Sequence, residues 1–199
     1  MKIKYDSTFF LKSISSVSGL DDFNGIEIAF CGRSNSGKSS AINCLANNKK
    51  LSRTSKFPGR TKLINFFEVS KNFRLVDLPG YGFSKLSKLI KKKLELLIYN
   101  YLDNRKCLIG LVVLMDIRNP LETLDQKIIF FSIKRKIKVI ILLNKSDKVS
   151  KNFQKKQLLT IKNYIYNISK FIKVYIFSSL KKIGVINLKN ELNTWNIIK

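Results

Sequence analysis

Short apolar runs alternate along this chain with longer stretches whose apolar positions recur every three or four residues. Continuous runs predict strands buried on both faces, and the periodic stretches predict helices packed over them. Strands are expected at Ile26–Cys31, Lys62–Val69, Asn72–Asp77, Cys107–Met115, Val139–Leu143 and Lys173–Phe177. Helices are expected at Lys38–Ala46, Leu86–Asn104, Leu121–Lys134 and Ser150–Ser169, with a terminal helix from Gly184. In Leu86–Asn104, the residues Leu89, Ile90, Leu94, Leu97, Ile98 and Tyr101 recur at helical spacing. The second and third strands meet near Ser70–Lys71 as a hairpin, which makes one strand antiparallel. The rest alternates strand and helix. The expected architecture is therefore α/β in three layers: a mostly parallel six-stranded sheet with one antiparallel strand and helices on both faces. Residues 1–25 are less regular and read as an N-terminal extension docked on a single domain spanning 26–199.

The 199 residues suit one such domain. Histidine is absent, which excludes His-based acid–base catalysis, Ser-His-Asp and Cys-His nucleophiles, and His-ligated metals. Cys31, Cys44 and Cys107 form no CxxC pair and are odd in number, which argues against a disulfide framework or zinc site and for a reducing, cytoplasmic setting. The longest apolar run, Cys107–Met115, is nine residues, against about 20 for a membrane span. Neither end carries a secretory or lipidation signal, so no membrane anchor is expected.

Net charge is +25. One reading is a polyanion partner such as RNA. The other is drift in an A/T-rich genome, since 31 Lys stand against 7 Arg, with 25 Ile, 18 Asn and 3 Ala. Both stay open. Lysines cluster at Lys49–Lys50, Lys91–Lys93, Lys134–Lys138, Lys155–Lys156 and Lys181–Lys182.

The chemistry sits between the elements. Gly32-Arg33-Ser34-Asn35-Ser36-Gly37-Lys38-Ser39 fits G-x-x-x-x-G-K-[ST], with a strand before it and a helix after it. Its backbone N–H groups can cradle phosphates at a helix N-terminus. Lys38 can bridge the terminal phosphates, and the Ser39 hydroxyl can ligate Mg²⁺. Asp77-Leu78-Pro79-Gly80 ends a strand, where the carboxylate can hold the metal's water shell and the Gly80 N–H can meet the third phosphate. Asn144-Lys145-Ser146-Asp147 follows another strand. A carboxylate at Asp147 can accept from guanine's ring N–H and amine, a donor pair that adenine lacks. Lys145 can lie along the base, and Asn144 can tie this loop to the first. Ser178-Ser179-Leu180, after the strand ending near Phe177, can offer a backbone N–H to the guanine carbonyl, and Phe177 joins the nucleotide contacts. Thr61, within Pro58-Gly59-Arg60-Thr61, can give a second Mg²⁺ ligand in a loop ordered by the third phosphate.

In this order and context the segments resemble the translation-factor-related P-loop GTPases, a Ras-like G domain. The runs Gly32–Ser40, Pro58–Thr61 and Asp77-Leu78-Pro79-Gly80-Tyr81-Gly82 in a chain of this length resemble the EngB (YihA/YsxC) family. The resemblance covers the chain from about Phe9 onward. It implies a GTP-binding protein needed for normal cell division and septation and tied to assembly of the large ribosomal subunit. On it, the nucleotide contacts extend to Ser40, Gly59, Arg60, Lys62, Leu63, Leu78 and Pro79. Lys38, Thr61 and Gly80 serve the reaction, and Ser39, Thr61 and Asp77 the metal. Asn144 departs from the family's usual Thr, which leaves guanine selection with Asp147.

Phosphoryl transfer rests on positioning and charge neutralisation. In Ras-like enzymes a glutamine follows the DxxG glycine; here it is Tyr81, which cannot orient water through an amide. Slow intrinsic turnover and acceleration by a partner are expected. Asn35 is a candidate K⁺ contact or a loop-shaping hydrogen bond. Arg33 and Arg60 are candidate in-cis arginines, and Tyr81 a partner contact or packing over the loop. Two functions compete: a monomeric GTP/GDP switch on the ribosomal large subunit or its rRNA, and a nucleotide-gated module that binds division proteins directly.

Overall fold

The computed structural model describes residues 3–52, 63–82 and 86–197, with the side chains of 196 and 197 left aside. Among the described residues, seven strands form one sheet: β1 (Phe9–Ile14), β2 (Ile26–Gly32), β3 (Ile64–Ser70), β4 (Phe73–Asp77), β5 (Leu108–Asp116), β6 (Lys138–Asn144) and β7 (Lys173–Ile176). Their spatial order is β1-β3-β4-β2-β5-β6-β7. β3 runs antiparallel to both its neighbours, and the remaining pairings are parallel.

The mixed sheet and its single reversed strand match the expected architecture, with one strand more than the apolar pattern yields. The additional strand is β1, within the stretch that lacks a clear period. It lies at the sheet edge, Phe9 and Phe10 are half exposed, and its register slips between Phe10 and Lys12. An edge strand with a bulge need not alternate cleanly.

The α-helices of the described residues cover the sheet: α1 (Lys38–Leu45), α2 (Lys88–Asn104), α3 (Thr123–Lys134), α4 (Lys151–Tyr166) and α5 (Val185–Ile197). Three of the starts among the described residues are set by side-chain caps. Ser87 accepts from the Ile90 N–H, and Ser150 from the Phe153 N–H. α3 opens on a reciprocal Glu122/Asp125 capping box, two residues later than the apolar period suggests.

The central strands explain their own composition. Ala29, Cys31, Leu111, Val113, Ile141 and Leu143 face one layer, built with Ile98, Ile128 and Ile161 of α2, α3 and α4. Ile28, Phe30, Val112, Leu114, Ile140 and Leu142 face the other, built with Ile42 of α1 and Leu188 of α5. Each strand is covered on both sides, so successive residues are all apolar.

The N-terminal stretch is tied down by charge. Asp21 pairs with Arg74 at 2.9 Å, with Lys12 at 3.3 Å and with Arg105 at 3.3 Å. The Arg74 guanidinium stacks 3.7 Å from the Phe23 ring centroid. At the other end of the parallel strands, the C-terminal ends of β2, β4, β6 and β7 bring their loops to one edge, where ligands of open α/β sheets bind.

Candidate functional site

The loop from Gly32 to Gly37 joins β2 to α1. Asn35 (φ 60°) and Gly37 (φ 101°) take left-handed conformations. A Cβ on Gly37 would stand 2.2 Å from Asn144 Nδ2, so the position needs glycine for space as well as for φ. The buried Lys38 starts α1 and turns back, donating to the Gly32 carbonyl at 3.2 Å and the Arg33 carbonyl at 3.3 Å. Burial pushes its amine below the usual lysine range, and the Asp77 carboxylate opposes that shift. The amine is thus held at the mouth of a loop of backbone N–H groups.

Asp77 ends β4 and is fully buried. The Ser39 hydroxyl donates to its Oδ2 at 2.6 Å and the Ser52 hydroxyl at 3.3 Å. Its Oδ1 is buried with no hydrogen-bond partner among the described residues. Burial pushes the carboxyl up, while Lys38, Ser39 and Ser52 pull it back. A buried carboxylate oxygen without a partner, beside a serine hydroxyl, is a donor set for a hard cation such as Mg²⁺.

The turn after Asp77 is locked to the first loop. The Leu78 N–H donates to the Phe30 carbonyl at 3.0 Å, and the Ser34 N–H to the Tyr81 carbonyl at 2.8 Å. Pro79 is buried between them. A Cβ on Gly80 would lie 2.9 Å from Lys38 Nζ and 3.0 Å from Ser34 Cα, so a side chain there would displace the lysine and press the two loops apart. Tyr81 is buried and donates its hydroxyl to Asp125 Oδ1 at 2.6 Å. Of its two expected roles, packing holds. Arg33 pairs with Glu122, the N-cap of α3. The capping box of α3 therefore grips both loops.

The third loop reaches the first directly, as expected. Asn144 Nδ2 donates to the Ser36 carbonyl at 2.7 Å, and Asn144 Oδ1 accepts from the Ser179 N–H at 3.3 Å. Lys145 takes a left-handed φ of 62° and pairs with Asp116 at 3.0 Å. Burial opposes ionisation of Asp116, but Arg118 and Lys145 outweigh it and hold its carboxyl well below the usual range. The Ser146 N–H donates to the Phe177 carbonyl at 3.1 Å. Ser178 donates its hydroxyl to Asp147 Oδ1 at 2.5 Å, which orients that carboxylate. The loop after β7 is closed by paired bonds between Ser178 and Ile183. The hydroxyl oxygens of Ser36, Ser146 and Ser179 are buried and unpartnered among the described residues.

The structure thus gathers Gly32–Ser39, Asp77–Gly80, Asn144–Asp147 and Phe177–Ser179 at one edge. Ser40 is half-buried in the first turn of α1, and Leu63 is exposed ahead of β3. Gly59, Arg60, Thr61 and Lys62 lie outside the described residues. Sequence reasoning missed Ser52, Asp116, Glu122, Asp125 and Gln154, whose amide donates to the Ser146 carbonyl at 2.8 Å. Only Asp116 left a signal, as an acid closing a buried central strand.

Chemically, the edge offers a backbone cradle with a lysine for phosphates, an oxygen pair for a cation, and an oriented carboxylate for a base with two adjacent donors. The three cysteines are free. Among the described residues, no helix is long and apolar enough to cross a membrane.

The chain is similar to known proteins. The family described as 50S ribosome-binding GTPase matches residues 27–145. The "Probable GTP-binding protein EngB" of Buchnera aphidicola subsp. Schizaphis graminum is 53% identical over 193 residues, spanning 97% of this chain and 96% of that protein. The protein of the same name from Vibrio parahaemolyticus is 47% identical, spanning 98% and 89%. A crystal structure of a probable GTP-binding protein engB superposes with a TM-score of 0.70 at 27% identity, over 87% of this chain and 100% of that one. With the fold, the order of the loops and near-complete alignment in agreement, the chain belongs to the EngB family of P-loop GTP-binding proteins.

Proposed function

We propose that the chain is a slow GTPase switch that acts on the large ribosomal subunit, and through its assembly on normal cell division and septation. The observation that carries the switch reading is the Asn144–Ser36 bond, which joins the base-recognition loop to the phosphate loop in one unit. The family match and the +25 charge favour a ribosomal, RNA-rich partner.

In this reading Gly32–Ser40 and Gly80 hold the phosphates, and Lys38 gives up its two carbonyl bonds for phosphate oxygens. Asp147, oriented by Ser178, selects guanine, and Lys145, braced by Asp116, lines the base with Phe177 and Ser179. Ser39 and Asp77, with Thr61 from outside the described residues, would hold Mg²⁺. Asp77 Oδ1 is the oxygen in search of a partner. The ion, when bound, adds positive charge against the phosphates. Gly59, Arg60, Lys62 and Leu63 complete the nucleotide contacts.

Turnover is slow because Tyr81 is buried and committed to Asp125, leaving no side-chain amide after Gly80 to orient water. Arg33 is committed to Glu122, so an activating charge comes from Arg60, from the partner or from K⁺ near the exposed Asn35. Equal turnover in sodium and potassium buffers removes the K⁺ role. The protein works as a cytoplasmic monomer.

The test is co-sedimentation with purified large ribosomal subunits in a GTP analogue, GDP or no nucleotide, across a salt series. The reading predicts pelleting favoured by the analogue and weakened by salt. Pelleting indifferent to nucleotide at every salt would move the bet to a protein partner in division.

A further inference from the structure

At the end of the sheet opposite the nucleotide loops, the starts of β6 and β7 leave an open groove of about 470 Å³. A second, of about 310 Å³, adjoins it across Ser169, Ile172 and Lys173. β6 separates this end from Asn144 by about 20 Å of extended chain. None of the nucleotide-site residues lines either groove.

Two features set the surface apart from a merely solvated lysine face. The first is aromatic. Phe171 stands 93% exposed at the start of β7, and Tyr166 is 59% exposed at the end of α4. A phenylalanine so exposed loses the hydrophobic stabilisation that burial would give it. The second is the charge around these rings. Five lysines line the two grooves (Lys136, Lys138, Lys162, Lys170 and Lys173) against one carboxylate, Glu191. That carboxylate is spoken for, by Lys173 at 2.7 Å and the Tyr175 hydroxyl at 2.6 Å. Lys170 Nζ lies 5.3 Å from the Tyr166 ring centroid, so ring and cation already share one site.

We propose that this surface binds single-stranded RNA, stacking an unpaired base on Phe171 and another on Tyr166 while the lysines take the phosphates between them. Aromatic faces beside a basic groove grip single strands without reading sequence. A duplex, whose bases stay stacked on each other, offers only its phosphates. The grip is independent of the nucleotide state, because the surface shares no residue with the GTP edge. It goes beyond the switch reading and stands without it.

Trp195, the chain's one tryptophan, lines the larger groove and gives a built-in reporter. The full chain in GDP is titrated with a fluorescein-labelled single-stranded 12-mer RNA, followed by anisotropy and by Trp195 emission. The same titration uses a 12-base-pair RNA duplex. The variants are Phe171→Ala and a Lys136→Glu/Lys170→Glu pair. The control pair is Lys155→Glu/Lys156→Glu, exposed on α4 and away from both grooves. Binding of a fluorescent GDP serves as a folding check.

Single-strand binding is expected with a shift in Trp195 emission, equal in GDP and in a GTP analogue. Phe171→Ala should weaken it about 5-fold or more, as loss of one stacked base predicts, and leave duplex binding unchanged. The Lys136/Lys170 pair should weaken it more than the control pair does. The proposal is overturned by wild-type affinity in Phe171→Ala, by equal losses in the two lysine pairs, or by no single-strand binding at 50 mM salt. It is also overturned if Phe171→Ala instead reduces sedimentation with phosphatidylserine vesicles, which would assign the surface to a membrane. Failure of the ribosome test with success here would discard the switch reading alone.

Discussion

Two ends of one sheet treat buried charge in opposite ways. At the N-terminal end of β2, Glu27 is fully buried and both its oxygens are committed. Arg105 reaches them at 2.6 and 2.8 Å, and the Tyr101 hydroxyl donates at 2.8 Å. At the C-terminal end of β4, Asp77 is as deeply buried but one oxygen has no partner among the described residues. Among the described residues, Ser36, Ser146 and Ser179 leave buried hydroxyls unpartnered on that same edge. Among the described residues, one such atom lies at the far end, Arg74 Nε, in a guanidinium stacked on Phe23. Buried polar atoms without partners cost free energy. Concentrated on one edge, they mark where a ligand completes the structure. At the far end the buried carboxylate is fully paired and supports the fold.

The largest effect expected at the open end is on Asp147. Asp147→Asn keeps an oxygen to accept from Ser178 but loses two charged hydrogen bonds to guanine, each worth about 1.5–3 kcal/mol. GTP affinity should fall by about two powers of ten or more, measured by fluorescent-nucleotide titration, with the urea midpoint unmoved. A fall of less than threefold would dissociate Asp147 from the base.

The far end should fail differently. Glu27→Gln removes the charge that Arg105 was buried against, at a cost of about 3–5 kcal/mol in urea unfolding. Nucleotide affinity of the folded fraction should hold. Asp77→Asn, the same chemical change at the open end, should leave stability within about 1 kcal/mol or raise it, because burial already disfavours that carboxylate. Mg²⁺ should then no longer strengthen nucleotide binding. Equal destabilisation by the two variants would erase the distinction between the ends.

The smallest effect is on pH. Burial opposes the Asp21 charge, but Arg74 and Lys12 overcome it and hold the carboxyl at about 2, against about 3.9 in an unfolded chain. A depressed pKa in the fold means stabilisation present above about pH 4 and lost as pH falls toward 2. Asp21 is over a third exposed, so screening reduces the contribution to about 1 kcal/mol or less. Asp21→Asn should flatten the acid limb of the urea midpoint between pH 4 and 2 by that amount; an unchanged limb contradicts it.

The open end was far more legible in the sequence than the closed one. Its loops carry fixed spacings, because phosphate and guanine impose them on residues close along the chain. Asn144 meeting Ser36 could be anticipated on those grounds. The Glu27–Arg105 pair joins positions 78 residues apart with no spacing rule. The Tyr81–Asp125 bond is equally silent, and it decided a question that sequence had left open for Tyr81. β1 was missed because an exposed, bulged edge strand lacks the two-sided apolar pattern of β2, β5 and β6. Helix interiors match the apolar period, and so do the starts of α1 and α4, while α2 and α3 begin after caps at Ser87 and Glu122, two residues later than the period suggests.

The most direct test of an edge completed by its ligand is a nucleotide titration of the wild-type chain: GTP, GDP and ATP, each with Mg²⁺ and with EDTA. The account predicts that GTP and GDP bind, that ATP binds at least a hundredfold more weakly, and that Mg²⁺ tightens GTP. ATP binding as well as GTP, or GTP binding indifferent to Mg²⁺, would contradict it.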